Sequence, residues 1–166
     1  MNFTEWSTKY IVRPIEEKDI EQVYLLCKGN PIYYEYMKED IKKDSIKKDM
    51  VSLPPYKSIE DKYYLGYYDN DELIAVLELV FAYPDDDTVL IGFFMVNASK
   101  QGQGIGSSII KDASMLIKRK GYVNIVIGYA EGNVQSREFW KKNMFIETDE
   151  IDDYGDIKIV TMLKLL

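Results

Sequence analysis

The residues best suited to chemistry are Gln101 to Gly106, reading Gln-Gly-Gln-Gly-Ile-Gly between an apolar run and a helically spaced one. The first N–H groups of a helix have no intrahelical acceptor, and the aligned peptide dipoles place partial positive charge there. Glycines let such a backbone approach a phosphate closely, so the segment reads as an anion cradle, with a plain strand-to-helix turn as the alternative. The glycines at 102, 104 and 106 do not satisfy G-x-G-x-x-G, and no Gly-Lys-Ser/Thr occurs. Neither a dinucleotide fold nor a P-loop is indicated.

The chain has no histidine and one cysteine, Cys27. Histidine-based triads, histidine metal sites and histidine acid–base chemistry are excluded together, and no metal is expected. Cys27 shares a helix face with Ile20, Val23 and Tyr24 and has no neighbouring base or positive cluster, so it reads as core rather than nucleophile. Carboxylates and tyrosines remain. Glu78 interrupts Ile74, Val76 and Val80 along an alternating strand, and a covered face would desolvate it and raise its pKa, as suits a general base. An exposed face or a structural ion pair is the alternative. Tyr129, just past a later strand, is a candidate proton donor.

Fourteen tyrosines are present, and Tyr33, Tyr34, Tyr36, Tyr63, Tyr64, Tyr67 and Tyr68 could wall an amine-binding pocket or simply pack. Asp85 to Asp87, and the run from Glu147 to Asp156, contain no lysine or arginine. They read as acidic loops, either steering a cationic amine or serving as solvated turns. Lys141 and Lys142 are placed to meet outer phosphates or to face water.

The elements that must position these groups follow from periodicity. Tyr10 to Pro14 is a short β-branched run stopped by proline, an opening strand. Ile20 to Cys27 is helical and stops at Gly29-Asn30-Pro31. From Ile32 to Met50 a Tyr-rich and then Lys/Asp-rich pattern predicts one exposed helix, broken at Leu53-Pro54-Pro55. Tyr63 to Tyr68, Leu73 to Ala82 and Val89 to Val96 predict an antiparallel meander. Ile105, Ile109, Ala113, Leu116 and Ile117 predict a helix closed by Lys118-Arg119-Lys120-Gly121. Val123, Ile125 and Ile127 alternate as a strand, Asn133 can cap a helix through Trp140, and Ile157 to Leu166 alternates as the last strand. The order β-α-α-βββ-α-β-α-ββ describes one mixed α/β (α+β) domain over residues 1–166. About seven strands, mostly antiparallel, and about four helices are expected.

Length and composition agree. A chain of 166 residues with 46% hydrophobic and 30% charged residues is ordinary globular material for a single core. With 21 Lys plus Arg against 28 Asp plus Glu, the net charge of −7 disfavours nucleic-acid binding. The most apolar stretch, Leu73 to Ala82, contains Glu78 and falls far short of the roughly 20 residues a membrane-spanning helix needs. The start at Met1 lacks a signal-peptide layout, and a lone cysteine forms no internal disulfide, so a cytoplasmic protein is expected. The last strand either pairs across a homodimer or is an edge guarded by Lys158 and Lys164.

Phe94 to Ser107 resembles motif A of the GNAT superfamily of acyl-CoA-dependent N-acetyltransferases, whose Gln/Arg-x-x-Gly-x-Gly/Ala signature is matched by Gln101, Gly104 and Gly106. Ile11 to Pro14 with the acidic helix start after it, and Asn133 to Phe145, resemble the family's first strand and helix and its motif B. The resemblance implies a sheet splayed between its fourth and fifth strands, with acetyl-CoA in the split. The pyrophosphate would lie on Gln101, Gly102, Gln103, Gly104, Ile105, Gly106 and Ser107, pantetheine along Met95 and Val96, and Asn133 and Trp140 near the cofactor. It also implies direct transfer of the acetyl group to a primary amine of a small molecule or peptide, with no covalent enzyme intermediate. The sequence departs from the family where Trp140 stands for a motif tyrosine, Met144 for a glycine, and Val89 to Phe93 lacks a carboxylate that often serves as base. A non-catalytic acyl-CoA-binding or sensing domain and a protein-interaction module are the alternatives.

Overall fold

A computed structural model describes residues 2–166. The opening strand β1 (Ile11–Pro14) leads to α1 (Ile20–Lys28), which is fixed at its start by ion pairing. Asp19 accepts from both Arg13 guanidinium nitrogens at 2.6 and 2.8 Å and from the Glu16 amide at 2.9 Å. The guanidinium also lies over the Tyr68 ring, 4.2 Å from its centroid. A strand end and a helix start are thereby locked at one corner.

The stretch expected to be one exposed helix forms two, α2 (Pro31–Met37) and α3 (Lys43–Val51), giving five α-helices among the described residues in place of about four. Lys38 ends α2 in the left-handed region, with φ of 51°, and Lys42 is extended. Periodicity of charge could not locate that break, because neither residue is a conventional breaker.

The meander forms as expected from β2 (Lys62–Asp69), β3 (Glu72–Phe81) and β4 (Thr88–Val96). After it come α4 (Ile105–Arg119), β5 (Asn124–Ala130), α5 (Val134–Lys142), β6 (Ile146–Asp153) and β7 (Lys158–Leu165). Among the described residues seven strands are ordered β1-β2-β3-β4-β5-β7-β6, and only the β4–β5 pair is parallel. Leu77 and Leu79 of β3 pack with Ile109, Ile110, Ala113 and Ile117 of α4 on one face. Val76 packs with Val23, Leu26 and Cys27 of α1 and with Ile46 of α3 on the other. Burying each Ile or Leu of α4 contributes about 2 kcal/mol, so this helix is held by its apolar stripe.

Two expectations about the C-terminal end are corrected. The acidic run read as a loop is largely strand β6, and the final strand β7 is interior, flanked by β5 and β6. Lys158 and Lys164 therefore guard no edge, and β7 has no free side on which to pair a second copy. An outermost strand keeps one side in water, where carboxylates are tolerated and discourage edge-to-edge association, so charge had hidden the strand pattern.

Candidate active site

β4 and β5 are paired only from Thr88 opposite Asn124 to Ile91 opposite Ile127. Both strands run on, β4 to Val96 and β5 to Ala130, so the sheet splits and main-chain groups of β4 face an open wedge. Backbone N–H and C=O groups demand partners, and this edge can supply them to an extended ligand. The wedge widens into a cleft of about 400 Å³. Phe94, Met95 and Val96 line it on β4, Gln101 to Ser107 without Gln103 at the mouth, and Asn133, Phe139 and Trp140 on α5.

The glycine loop is built from its own side chains. Asn97 caps a short turn by accepting from the Ser99 amide, and Gln103 donates to the Ser99 carbonyl at 3.0 Å. Gln101 donates to Val96 O at 3.0 Å and Asn30 Oδ1 at 2.6 Å, while Asn30 donates to Leu26 O. The Gln101 carboxamide thus ties the loop to the ends of β4 and α1. Gly104 is the N-cap of α4 at φ 78°, and neither its absent Cβ nor that of Gly102 would meet an atom within 4 Å. Bare backbone faces open space at the start of a 15-residue helix, the cradle a phosphate requires.

Aromatic rings floor the cleft. Phe94 stacks on Phe139 with centroids 5.7 Å apart, and Trp140 meets Phe94, Phe139 and Phe145 at 6.0, 5.0 and 4.9 Å. A Cβ on Gly106 would come within 3.0 Å of Phe139, so the glycine admits close packing of α4 on α5. Asn133 caps α5, its side chain accepting from the Ser136 amide. Lys142 reaches the cleft, whereas Lys141 lies 4.0 Å from Glu147.

At the inner end the β3–β4 register shifts, so that Gly92 and Phe93 together oppose Glu78. The bulge makes Gly92 an extra residue, and its missing side chain is what the Glu78 carboxylate occupies: a Cβ there would lie 2.7 Å from Glu78 Oε1. Glu78 is 15% exposed and pairs with Lys62 Nζ at 3.0 Å. Burial pushes its carboxyl up, and Lys62 pulls it partly back. Glu78 does not line the cleft itself. It adjoins Phe93, whose ring meets Tyr33 of the cleft wall edge-on at 5.6 Å.

Tyr129 is not brought to the cleft. Its hydroxyl donates to Glu147 Oε1 at 2.6 Å, where Arg137 Nε also binds at 2.6 Å. Burial and that carboxylate push the phenol up to about 12, while the Arg137 and Tyr129 bonds hold Glu147 down at about 2. Cys27 is buried, and burial pushes its thiol up to about 11, so it stays a thiol. The tyrosine cluster is divided: Tyr33 lines the cleft, Tyr34, Tyr64 and Tyr68 pack around α1, and Tyr67 is in the main core. Tyr36 stands against Gly132 and lines a separate hollow of about 260 Å³ bounded by α2 and the β6–β7 turn.

Asn30, Pro31 and Ile32 also form cleft wall and were missed. Pro31 at the first helical position was a usable signal for where α2 begins, since proline suits that place.

The family model described as Acetyltransferase (GNAT) family matches residues 27–145, well over half of the chain. A search of curated proteins found no match. Among solved structures, an acetyltransferase from Thermus thermophilus superposes with a TM-score of 0.77 at 14% identity, covering 95% of this chain and 97% of that one. The PaiA N-acetyltransferase of Thermoplasma acidophilum, in complex with coenzyme A, gives 0.69 at 18%, covering 95% and 99%. An acetyltransferase of Salmonella typhimurium that modifies the N-terminal serine of ribosomal protein L7/L12 gives 0.74 at 15%, covering 97% of each. At these identities the superpositions speak for the fold, and the family match for the lineage. A split sheet with its glycine cradle, and the sequence that folds into it, thus have one explanation: the chain belongs to the GNAT acetyltransferase family.

Proposed function

We propose that the chain moves an acetyl group from acetyl-CoA to a primary amine of a small molecule or peptide, by direct attack while both are bound. The observation that carries this reading is the unpaired edge of β4, which runs from the glycine cradle at Gly104 to the carboxylate at Glu78. Main-chain N–H groups at Gly102 to Ser107 would hold the pyrophosphate, with Lys142 near the outer phosphates. Phe94, Met95, Val96, Asn133 and Trp140 would flank the pantetheine arm. Bound acetyl-CoA would supply the thioester carbonyl and a thiolate that departs without obligatory protonation.

The chain's own work is to bind, orient and remove a proton. An amine is protonated near neutral pH and must lose a proton to attack. With Oε1 on Lys62, Glu78 Oε2 would accept that proton through a water, since the carboxylate adjoins the cleft without lining it. Burial brings the carboxylate closer to the basicity such a step needs. This position stands in for the carboxylate that Val89 to Phe93 lacks: β3 provides the group and Gly92 of β4 provides the room. The acceptor would approach between α2 and the β6–β7 turn, past Tyr36.

Thermal unfolding with acetyl-CoA, CoA and ATP tests the cofactor, since a ligand of the native state alone raises the midpoint. A rise with both CoA species and none with ATP is expected; no rise at millimolar ligand overturns the reading. Glu78→Gln tests the base, with a fall in kcat of about 100-fold or more at unchanged acetyl-CoA affinity. Cofactor binding with no thiol release over a panel of amines would leave a non-catalytic binder, the reading that Trp140 in place of a phenol favours.

A further inference from the structure

Lys62 makes no contact with the cleft, yet it is more completely enclosed than Glu78, with 2% of its side chain exposed. A lysine is almost never buried unless its ammonium is fully partnered, and here it is. Nζ donates to the Asp49 carbonyl and, at 2.7 Å, to the Ser52 carbonyl, and lies 3.0 Å from Glu78 Oε1. The two carbonyls belong to the last turn of α3 and the residue after it, where helix carbonyls lack amide partners and a cation is favoured. The ammonium thus has two carbonyl acceptors and one carboxylate ion-pair partner. Two of these are main chain and cannot move without α3, so the third, the Glu78 carboxylate, is held at a fixed point over Gly92.

We propose that Lys62 is a positioning residue for Glu78. It docks the end of α3 and uses its charge, fixed there, to orient one carboxylate oxygen and keep the group ionised. This rests on the reading of Glu78 as the base. The charged and titratable groups facing Glu78 are Lys62 and Tyr64 from β2, Asp49 from α3 and Tyr33 from α2; Gly92 and Phe93 of β4 bring none. Lys62 is the one cation among them. Asp49 opposes ionisation of Glu78, and burial pushes both carboxyls up. Removing Lys62 leaves burial and Asp49 unopposed, so the base is protonated over a wider pH range and the acidic limb of kcat/KM moves upward.

The test is that limb, measured for the intact enzyme and for Glu78→Gln, Lys62→Gln and Lys62→Arg. An opposite charge at this distance lowers a carboxyl by roughly 1 to 3 pH units, so Lys62→Gln should raise the limb by about one pH unit or more. Lys62→Arg, which keeps the charge, should return it toward the original position. The glutamine amide can still donate to the α3 carbonyls, and a cooperative unfolding transition confirms that this variant folds. A limb that stays in place in folded Lys62→Gln, or shifts equally in Lys62→Arg, overturns the positioning role while Glu78 remains the base. A limb that persists in Glu78→Gln shows instead that the base reading has failed, and the proposal falls with it.

Discussion

The two ends of the cleft are built by different means. At the mouth, the cradle is bare backbone: Gly102 and Gly104 at positive φ, a helix start behind them, and no charged residue from Gln101 to Gly106. At the inner end, the site is built of side chains from two strands, with Glu78 of β3 filling the gap at Gly92 of β4 and pairing with Lys62 of β2. The first arrangement is contiguous in sequence and depends on what is missing, namely side chains. The second is assembled across the sheet and depends on pairs that must be changed together. Backbone recognition should therefore be destroyed by adding an atom group at the mouth, and side-chain chemistry by removing or displacing one at the inner end.

The largest effect is expected at the mouth. Gly104→Asp would put a carboxylate where the pyrophosphate is proposed to bind, and juxtaposed like charges cost several kcal/mol, so CoA affinity should fall by about 100-fold or more. The fold should survive, because the new Cβ meets nothing within 4 Å and Asp tolerates left-handed backbone. Calorimetric titration with CoA, beside a melting curve, separates the two. Retained affinity would break the comparison at its first term.

At the inner end the matching disturbance is Gly92→Ala. Its Cβ would fall 2.7 Å from Glu78 Oε1 and 3.1 Å from Cδ, and the flexible end of the side chain must swing away. Roughly a tenfold loss of kcat with unchanged acetyl-CoA KM is expected, a fraction of what a general base contributes. The double variant Glu78→Ala with Gly92→Glu sharpens this by returning the carboxylate to β4. Recovery above Glu78→Ala alone would show that the site needs a carboxylate at this point in space and is indifferent to the strand that carries it.

How much was legible follows the same division. Gln101 to Ser107, Asn133 as a cap, the meander and α4 were readable because each is local: glycines before an amphipathic helix, alternation, a capping residue. Glu78 stood out as a charge in an apolar strand, but its ion pair with Lys62 and its place over Gly92 depend on the register of β2, β3 and β4 and on one bulge. No periodicity encodes a bulge. Tyr129 was misplaced for a related reason, since the Glu147 and Arg137 that hold its hydroxyl come from β6 and α5. β6 itself was hidden by the charge on an edge strand.

A smaller effect, on stability alone, is expected at the corner that holds α1 beside the inner end. Asp19 is 3% exposed and accepts from Arg13 through both oxygens. Asp19→Asn should cost about 2 kcal/mol, the scale of hydrogen bonds to charged groups, and lower the melting midpoint by roughly 4 to 8 °C. The Arg13 bond, first among the causes, lowers the folded carboxyl below its unfolded value. Its stabilisation is thus present above the unfolded pKa and fades as pH falls through the lower folded value. Midpoints of the variant and the parent should converge in strong acid; a constant gap would mean the pair acts by packing alone.

The smallest effect tests what the inner end lacks. Trp140→Tyr restores a phenol where relatives often carry one, within a floor already made of Phe94, Phe139 and Phe145. A thiolate departs without help more readily than an alkoxide, and in the proposed reaction Glu78 takes the proton from the amine, so kcat should stay within about threefold. The ring swap removes buried area, so the variant should melt a few degrees lower, and activity must be compared well below that point. A rise in kcat of tenfold or more would show that departure of the thiolate limits turnover. The inner end would then be short of an acid, a side-chain deficiency that the backbone-built mouth has no counterpart for.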